Sequence, residues 1–295
     1  MKNRYSAPLL AGLLILALSS AGAQVPSPQG ALERIASQQQ INVGFSEDAP
    51  PFSVRGAGGH PVGYSIDLCN AVIARIRAET GAANLRVVYQ PVSTDQLVRI
   101  VRSSGVDLMC AGVSDTPARR TAMSFSAPIF ISAVKFAVRT RDGIRAPADL
   151  AGKTVAVMGR TTAEPAVLAF AEAHKLDLKI SRVAGADAAM GQLRLNHATA
   201  WARDEVLLLG GIARQPDAAA FTVLPTPLSS ETIALAFPQD HGLQGVVDRA
   251  LSALASSGRT DALYEQWFVK PNAAVASGLK LPMSAELKAS LERQR

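Results

Sequence analysis

The sequence predicts an α/β protein of two lobes, each a mainly parallel sheet flanked by helices and joined to the other by a two-segment hinge. Three observations predict it. Strand-like and helix-like segments alternate along most of the chain, the rhythm of βαβ units. The alternation comes in two blocks with separate core patterns, and 295 residues exceed one average core. Extended segments join the blocks, and the chain ends in helices that belong with the first block.

In the first block, Ile41 to Phe45 reads as a strand. Pro50 and Pro51 interrupt it with a loop, because proline has no N–H for a ladder. Arg55 to Gly63 is glycine-rich and reads as an exposed turn. Ser65 is placed to cap a helix in which Ile66, Cys69, Val72 and Ile73 recur at helical spacing. Leu85 to Gln90 alternates as a strand. Thr94 to Ser103 follows as a helix that Gly105 ends, and Val106 to Cys110 as a short buried strand. In the second block, strands are expected at Thr154–Met158, Leu178–Val183 and Thr199–Ala202, with helices at Thr162–His174, Asp187–Leu195 and Asp204–Gly211. Two extended runs, Ser132–Thr140 and Thr232–Phe237, connect the blocks; a paired crossing is a hinge that spares both cores. Helices then return at Gly245–Ala255 and Arg259–Val269, with a last one near Ser284–Leu291. The expected division is a first lobe of 24–139 and 238–270, a second lobe of 140–237, and a tail of 271–295.

The first 23 residues have the pattern of an export signal. Lys2 and Arg4 precede an apolar run from Ala7 to Leu18, and Ala21-Gly22-Ala23 supplies small residues for cleavage. The run is too short to span a bilayer comfortably. Loss of Lys2 and Arg4 lowers the formal charge from +6 to +4. The remaining basic residues are dispersed and aromatics are few, which excludes a nucleic-acid surface. The two cysteines, Cys69 and Cys110, read as a disulfide in an oxidising compartment, the alternative being two buried free thiols. His60, His174, His197 and His241 are isolated and have no metal-ligand spacing. No cofactor is expected.

The glycines at 56, 58 and 59 miss dinucleotide-loop spacing. Gly152-Lys153-Thr154 leads into a strand and has Pro147 where a phosphate loop needs glycine. No G-x-S-x-G and no Cys/His pair suggests covalent catalysis. Three places carry more. Arg119 closes Thr116-Pro117-Ala118-Arg119 after a strand end, where open α/β sheets bind ligands. Ala111 and Gly112 leave the backbone approachable there, Ser114 offers a hydroxyl, and a guanidinium fits a carboxylate bidentately. Thr161 and Thr162 open a helix, whose free N–H groups favour an anion; either could instead simply cap it. Asp204 follows a third strand and could hold an ammonium, cap the next helix, or pair with Arg203.

These residues, in this order, resemble the periplasmic amino-acid-binding proteins of ABC importers (solute-binding protein family 3). The resemblance rests on T-P-x-R followed by Phe125-Ser126, A-D-L-x-G-K-T-V at 148–155, G-x-T-T at 159–162 and Asp204-Glu205. Within the family, D-L-C at 67–69 with D-L-M-C at 107–110, and the ending at 281–289, are most similar to the glutamate/aspartate-binding branch. It implies the type II periplasmic-binding-protein fold, closing on a free L-amino acid. Arg119, Ser114 and the backbone near Gly112 would hold the α-carboxylate, helped by Thr162, and Asp204 would hold the α-ammonium. Phe52 would pack beside the ligand. Where the branch has an arginine for the acidic side chain, this chain has Ser46; where it has a histidine, Ala186. The resemblance thus implies α-amino-acid binding and leaves the side chain open. It also implies a cleaved signal peptide, a periplasmic location, a disulfide between Cys69 and Cys110, a monomer and a membrane permease as partner. The alternatives on the same fold are an enzyme resembling cyclohexadienyl dehydratase, with Glu47 or Asp48 as general acid, and a sensor that presents its ligand to a receptor.

Overall fold

The computed structural model describes Met1 and residues 30–295. The expected export signal and its cleavage site therefore lie, Met1 apart, outside the described residues.

In the first lobe, α1 (Ala31–Gln38) leads into β1 (Gln40–Phe45). A small antiparallel sheet of β2 (Asp48–Ala49), β3 (Ser53–Arg55) and β4 (Pro61–Val62) follows, where the sequence reads only loop and turn. The next helix, α2 (Tyr64–Thr80), starts after Gly63, and no side chain caps it. Ser65 lies inside α2, and its hydroxyl donates to the Ala111 carbonyl at 3.2 Å. Then come β5 (Arg86–Pro91), α3 (Leu97–Arg102), β6 (Leu108–Ser114), the single turn α4 (Pro117–Arg120) and β7 (Ser124–Phe125). β6 runs four residues past the expected Cys110, because Val113 and Ser114 pair with the returning strand.

The chain crosses on β8 (Phe130–Arg139). The second lobe holds β9 (Thr154–Met158), α5 (Ala163–Ala173), β10 (Lys179–Val183), α6 (Ala186–Arg194), β11 (Ala200–Asp204), α7 (Glu205–Ala213) and β12 (Phe221–Val223). It returns on β13 (Ser229–Phe237), followed by α8 (His241–Ser256), α9 (Arg259–Tyr264), a π-helical turn at Glu265–Val269 and α10 (Ala285–Glu292).

One sheet runs through both lobes in the order β10-β9-β11-β8-β13-β6-β1-β5. β1 is parallel to β5 and β6, and β9 is parallel to β10 and β11. The crossing strands β8 and β13 are antiparallel to each other, with Phe130 opposite Ile233 and Val134 opposite Ser229. Beyond that stretch they part: β8 pairs with β11 from Val134 to Val138, and β13 pairs with β6 at Ile233 and Ala234. Residues 134–139, assigned to the first lobe from sequence, therefore pair with the second, because the extended run starts at Phe130 and is already beside β11 by Val134.

The core divides accordingly. In the first lobe, α1, α2, α8, α9 and α10 cover one sheet face around Val43, Phe52, Tyr64 and Phe268, and α3 covers the other around Met109 and Val113. In the second lobe, α5 covers the face holding Val155, Val157 and Ala202, while α6 and α7 cover the face holding Ala156 and Trp201. The segment after 271 is no free tail: Val275, Leu287 and Leu291 are buried in the first lobe's core. Cys69 and Cys110 form a disulfide with Cα atoms 6.1 Å apart, tying α2 to β6. Among the described residues, no helix is long and apolar enough to cross a membrane.

Candidate functional site

The C-terminal ends of β6, β9 and β11 converge on one cavity between the lobes. Its walls include Ser46, Gly112, Ser114, Arg119, Thr161, Thr162, Arg203 and Asp204.

On the first-lobe side, the local sequence aims Arg119 inward. Thr116 caps α4, its hydroxyl accepting from the Arg119 N–H at 3.2 Å, and Pro117 takes the first helical position, where no N–H is needed. This single turn folds Arg119 back, so that its Nη1 donates to the Ser114 carbonyl at 2.9 Å. Arg119 is half-buried and has no ion-pair partner among the described residues. Burial lowers its pKa from the ordinary value, against the pull of Glu231 and Asp204. Gly112 is needed where it stands. A Cβ there would lie 2.5 Å from the Phe52 ring. Phe52 itself is fully buried behind Gly112, packed on Phe130 and Phe268, and does not line the cavity. Its expected place beside the ligand is corrected: it supports the wall from behind, because the small sheet around β3 draws it into the first lobe's core.

On the second-lobe side, Thr162 occupies the N-cap position of α5, yet its side chain makes no capping bond. Its hydroxyl reaches across the cavity to the Ser114 hydroxyl at 3.4 Å. The Thr161 hydroxyl donates to the Met158 carbonyl at 2.8 Å, bracing the turn that opens α5. Both threonines thus leave the first N–H groups of α5 unclaimed by side-chain caps, at the positive end of a helix dipole.

Asp204 ends β11 and precedes α7 without capping it. It is 8% exposed, and its Oδ1 has no hydrogen-bond partner. Burial, and then the negative charge of Glu231, push its carboxyl up to about 6; Arg203 and Arg119 pull it the other way. The alternative partner, Arg203, makes no ion pair with it among the described residues. Arg203 is 6% exposed. One of its nitrogens donates to the Asp48 carbonyl at 3.3 Å, while Nη1 is buried without a partner. Its Cζ stands 5.8 Å from the centre of the Trp201 ring. A carboxylate oxygen and a guanidinium nitrogen buried without partners in one cavity are each costly, and a ligand of opposite charge removes the cost.

Ser46 lines the cavity, but its hydroxyl donates to Asp48 at 2.9 Å. Sequence reading weighed Arg203 only as a partner for Asp204; the period-two spacing Trp201-x-Arg203, with the tryptophan buried, is the signal that the arginine is held inward. Glu47 and Asp48 line the adjoining opening, which shares Ser46, Val92 and Thr94 with the cavity wall. Glu47 pairs with Arg55 at the surface, and Asp48 faces Ser46 and the Ala186 N–H.

The chain is similar to proteins of known family and structure. The L-glutamate/L-aspartate-binding protein of Pseudomonas aeruginosa is 28% identical over 97% of this chain and 95% of its own length. The glutamate/aspartate import solute-binding protein of Escherichia coli is 24% identical over 94% of this chain and 93% of its own. Among solved structures, the P235GK mutant of ArgBP from T. maritima superposes with a TM-score of 0.70 at 27% identity, covering 81% of this chain and 99% of that one. The family model of bacterial extracellular solute-binding proteins, family 3, matches residues 41–270. With its two-lobed α/β architecture and interlobe cavity, the chain belongs to the family 3 bacterial extracellular solute-binding proteins.

Proposed function

We propose that the protein is an exported receptor that captures a free L-amino acid between its lobes and delivers it to the permease of an ABC importer. It acts in the periplasm as a monomer, without cofactor or catalysis. The observation that carries this is the pairing of Arg119 and Asp204, unlike charges from opposite lobes on one cavity, the acid with an unpartnered oxygen. The two ends of a zwitterion match them. Arg119, Ser114 and the backbone at Gly112 take the α-carboxylate, the N–H groups at the start of α5 assist, and Asp204 takes the ammonium.

The contacts come from both lobes, so only the closed arrangement satisfies both poles. Binding energy then shifts the population toward closure. β8 and β13 serve as the hinge: they are the paired crossing strands, β8 joined to the second lobe's β11 and β13 to the first lobe's β6. Two sets of charge-assisted hydrogen bonds in a dry cleft support micromolar or tighter affinity, about −8 kcal/mol. The enzymatic alternative is disfavoured because both acids are already committed, Glu47 to Arg55 and Asp48 to the Ser46 hydroxyl.

Isothermal titration of the exported protein against the L-amino acids tests the proposal. At least one binds with a micromolar or lower Kd; Arg119→Ala and Asp204→Ala each abolish the heat with an unchanged far-UV spectrum, and prephenate is not turned over. Unaltered binding in both variants removes the site, and turnover of prephenate removes the transport reading.

A further inference from the structure

We propose that Asp48 is a latch between the lobes: it draws them together by protein contacts alone, so that the ligand-free protein samples the closed form and Asp48 sets part of the affinity. This rests on the hinge reading above and adds what holds the lobes shut.

The segment Asp48–Pro50 belongs to the first lobe and meets the second at three points. The Asp48 Oδ2 faces the Ala186 N–H at 3.5 Å, at the start of α6. Gly185, the N-cap of that helix, has no side chain to satisfy it. An acid from the opposite lobe therefore stands where an N-cap acid would, at the positive end of the helix. The Asp48 carbonyl accepts from the Arg203 Nη2 at 3.3 Å. Burial lowers the pKa of Arg203, and the charge of Asp48, ahead of that of Asp204, opposes this. Gly210 of α7 is the third point. A Cβ there would lie 2.4 Å from the Pro50 carbonyl oxygen, so the glycine is a notch into which the first lobe's chain fits.

The first lobe aims the acid before the lobes meet. The Asp48 Oδ1 accepts from the Ser46 hydroxyl at 2.9 Å. Ser46 is itself tied to Ser53, its N–H donating to the Ser53 hydroxyl at 3.1 Å and its carbonyl accepting from that hydroxyl at 2.7 Å. Ser53 is fully buried. The acid is thus preorganised by its own lobe, and docking costs little side-chain freedom. None of the three contacts uses Arg119, Ser114, Thr162 or Asp204. The latch acts on the open–closed equilibrium, and a larger closed fraction lowers the apparent Kd in proportion.

The test is a distance measurement between spin labels on Arg102→Cys in the first lobe and Glu172→Cys in the second, both exposed positions. The native cysteines are joined to each other and leave the new thiols as the labelling sites. The protein is unfolded and refolded with its disulfide intact to strip ligand. An equimolar mixture of L-amino acids then marks the closed distance. Loss of a helix-capping acid shifts an equilibrium about fivefold. Ligand-free protein with Asp48 intact should show both distances, and Asp48→Ala should lower the closed-to-open ratio about fivefold and raise the Kd by up to that factor. If the ligand-free protein shows only the open distance, or Asp48→Ala leaves the ratio unchanged, the latch is overturned while amino-acid capture stands. If the mixture does not shorten the distance, the closure reading fails and the latch with it. Should Asp48→Ala not fold, Gly210→Ala decides, since it wedges the same joint from the second lobe; an unchanged ratio there overturns the proposal.

Discussion

Replacing Asp204 with asparagine should make the ligand-free protein more stable and useless. The carboxyl titrates at about 6 in the fold, against an ordinary 3.8, mainly because burial penalises its charge. That difference of about 2 units, at 1.36 kcal/mol each, makes the ionised acid cost the fold about 3 kcal/mol. A raised carboxyl pKa means that the folded state holds its proton more tightly than the unfolded chain. The cost is therefore fully present above pH 6, fades as the pH falls toward 4, and is absent below it. Asp204→Asn keeps the shape and deletes the charge. Urea unfolding of ligand-free wild type and variant should show the variant ahead by up to about 3 kcal/mol at pH 8, with the curves converging at pH 4. Calorimetric titration at pH 8 should find amino-acid binding abolished in the variant. A variant that is less stable than wild type at pH 8, or whose advantage persists at pH 4, would falsify the reasoning, since the buried charge would then not be the cost.

Further outcomes follow from the same geometry. Amino-acid affinity in wild type should be flat above pH 6 and fall by up to about tenfold per unit below it, since the ammonium needs an ionised Asp204; calorimetry across pH 5–8 checks this. Cys69→Ser with Cys110→Ser opens a closure of 41 residues and should cost about 4 kcal/mol in denaturant midpoint analysis. Gly112→Ala pushes a methyl onto the fully buried Phe52 ring and should cost about 1–3 kcal/mol while weakening ligand binding. Gly210→Ala sets a methyl against the Pro50 carbonyl of the opposite lobe; it should leave each lobe folded but lower affinity, with scattering showing incomplete compaction on adding ligand.

The alternation of strands and helices was legible because each element has a strong period of its own. β9 and β10 came within a residue of their expected bounds, since buried Val155, Ala156 and Val157 form a run no helix face would tolerate. The misses share a cause: contacts made far along the chain. β6 extends to Ser114 only because β13 lies beside it. The small sheet of β2, β3 and β4 pairs segments whose composition reads as turn. In the site, Arg119 and Asp204 were legible as charges at strand ends. Arg203 was not, because a charge beside an acid reads as its partner until the side chains are seen to part. Phe52 was misplaced because nothing local says that Gly112 stands between it and the cavity.

The position of Trp201 has an optical consequence. Its indole is fully buried beside the Arg203 guanidinium, which lines the cavity, so a charged ligand entering the cavity alters the electric field across the fluorophore. The chain's other tryptophan, Trp267, lies in the first lobe's core with its N–H on Asp67 at 2.7 Å, and is not on the cavity wall. Intrinsic emission thus contains both a responsive and a reference signal, and occupancy of the cleft can be followed in unlabelled protein.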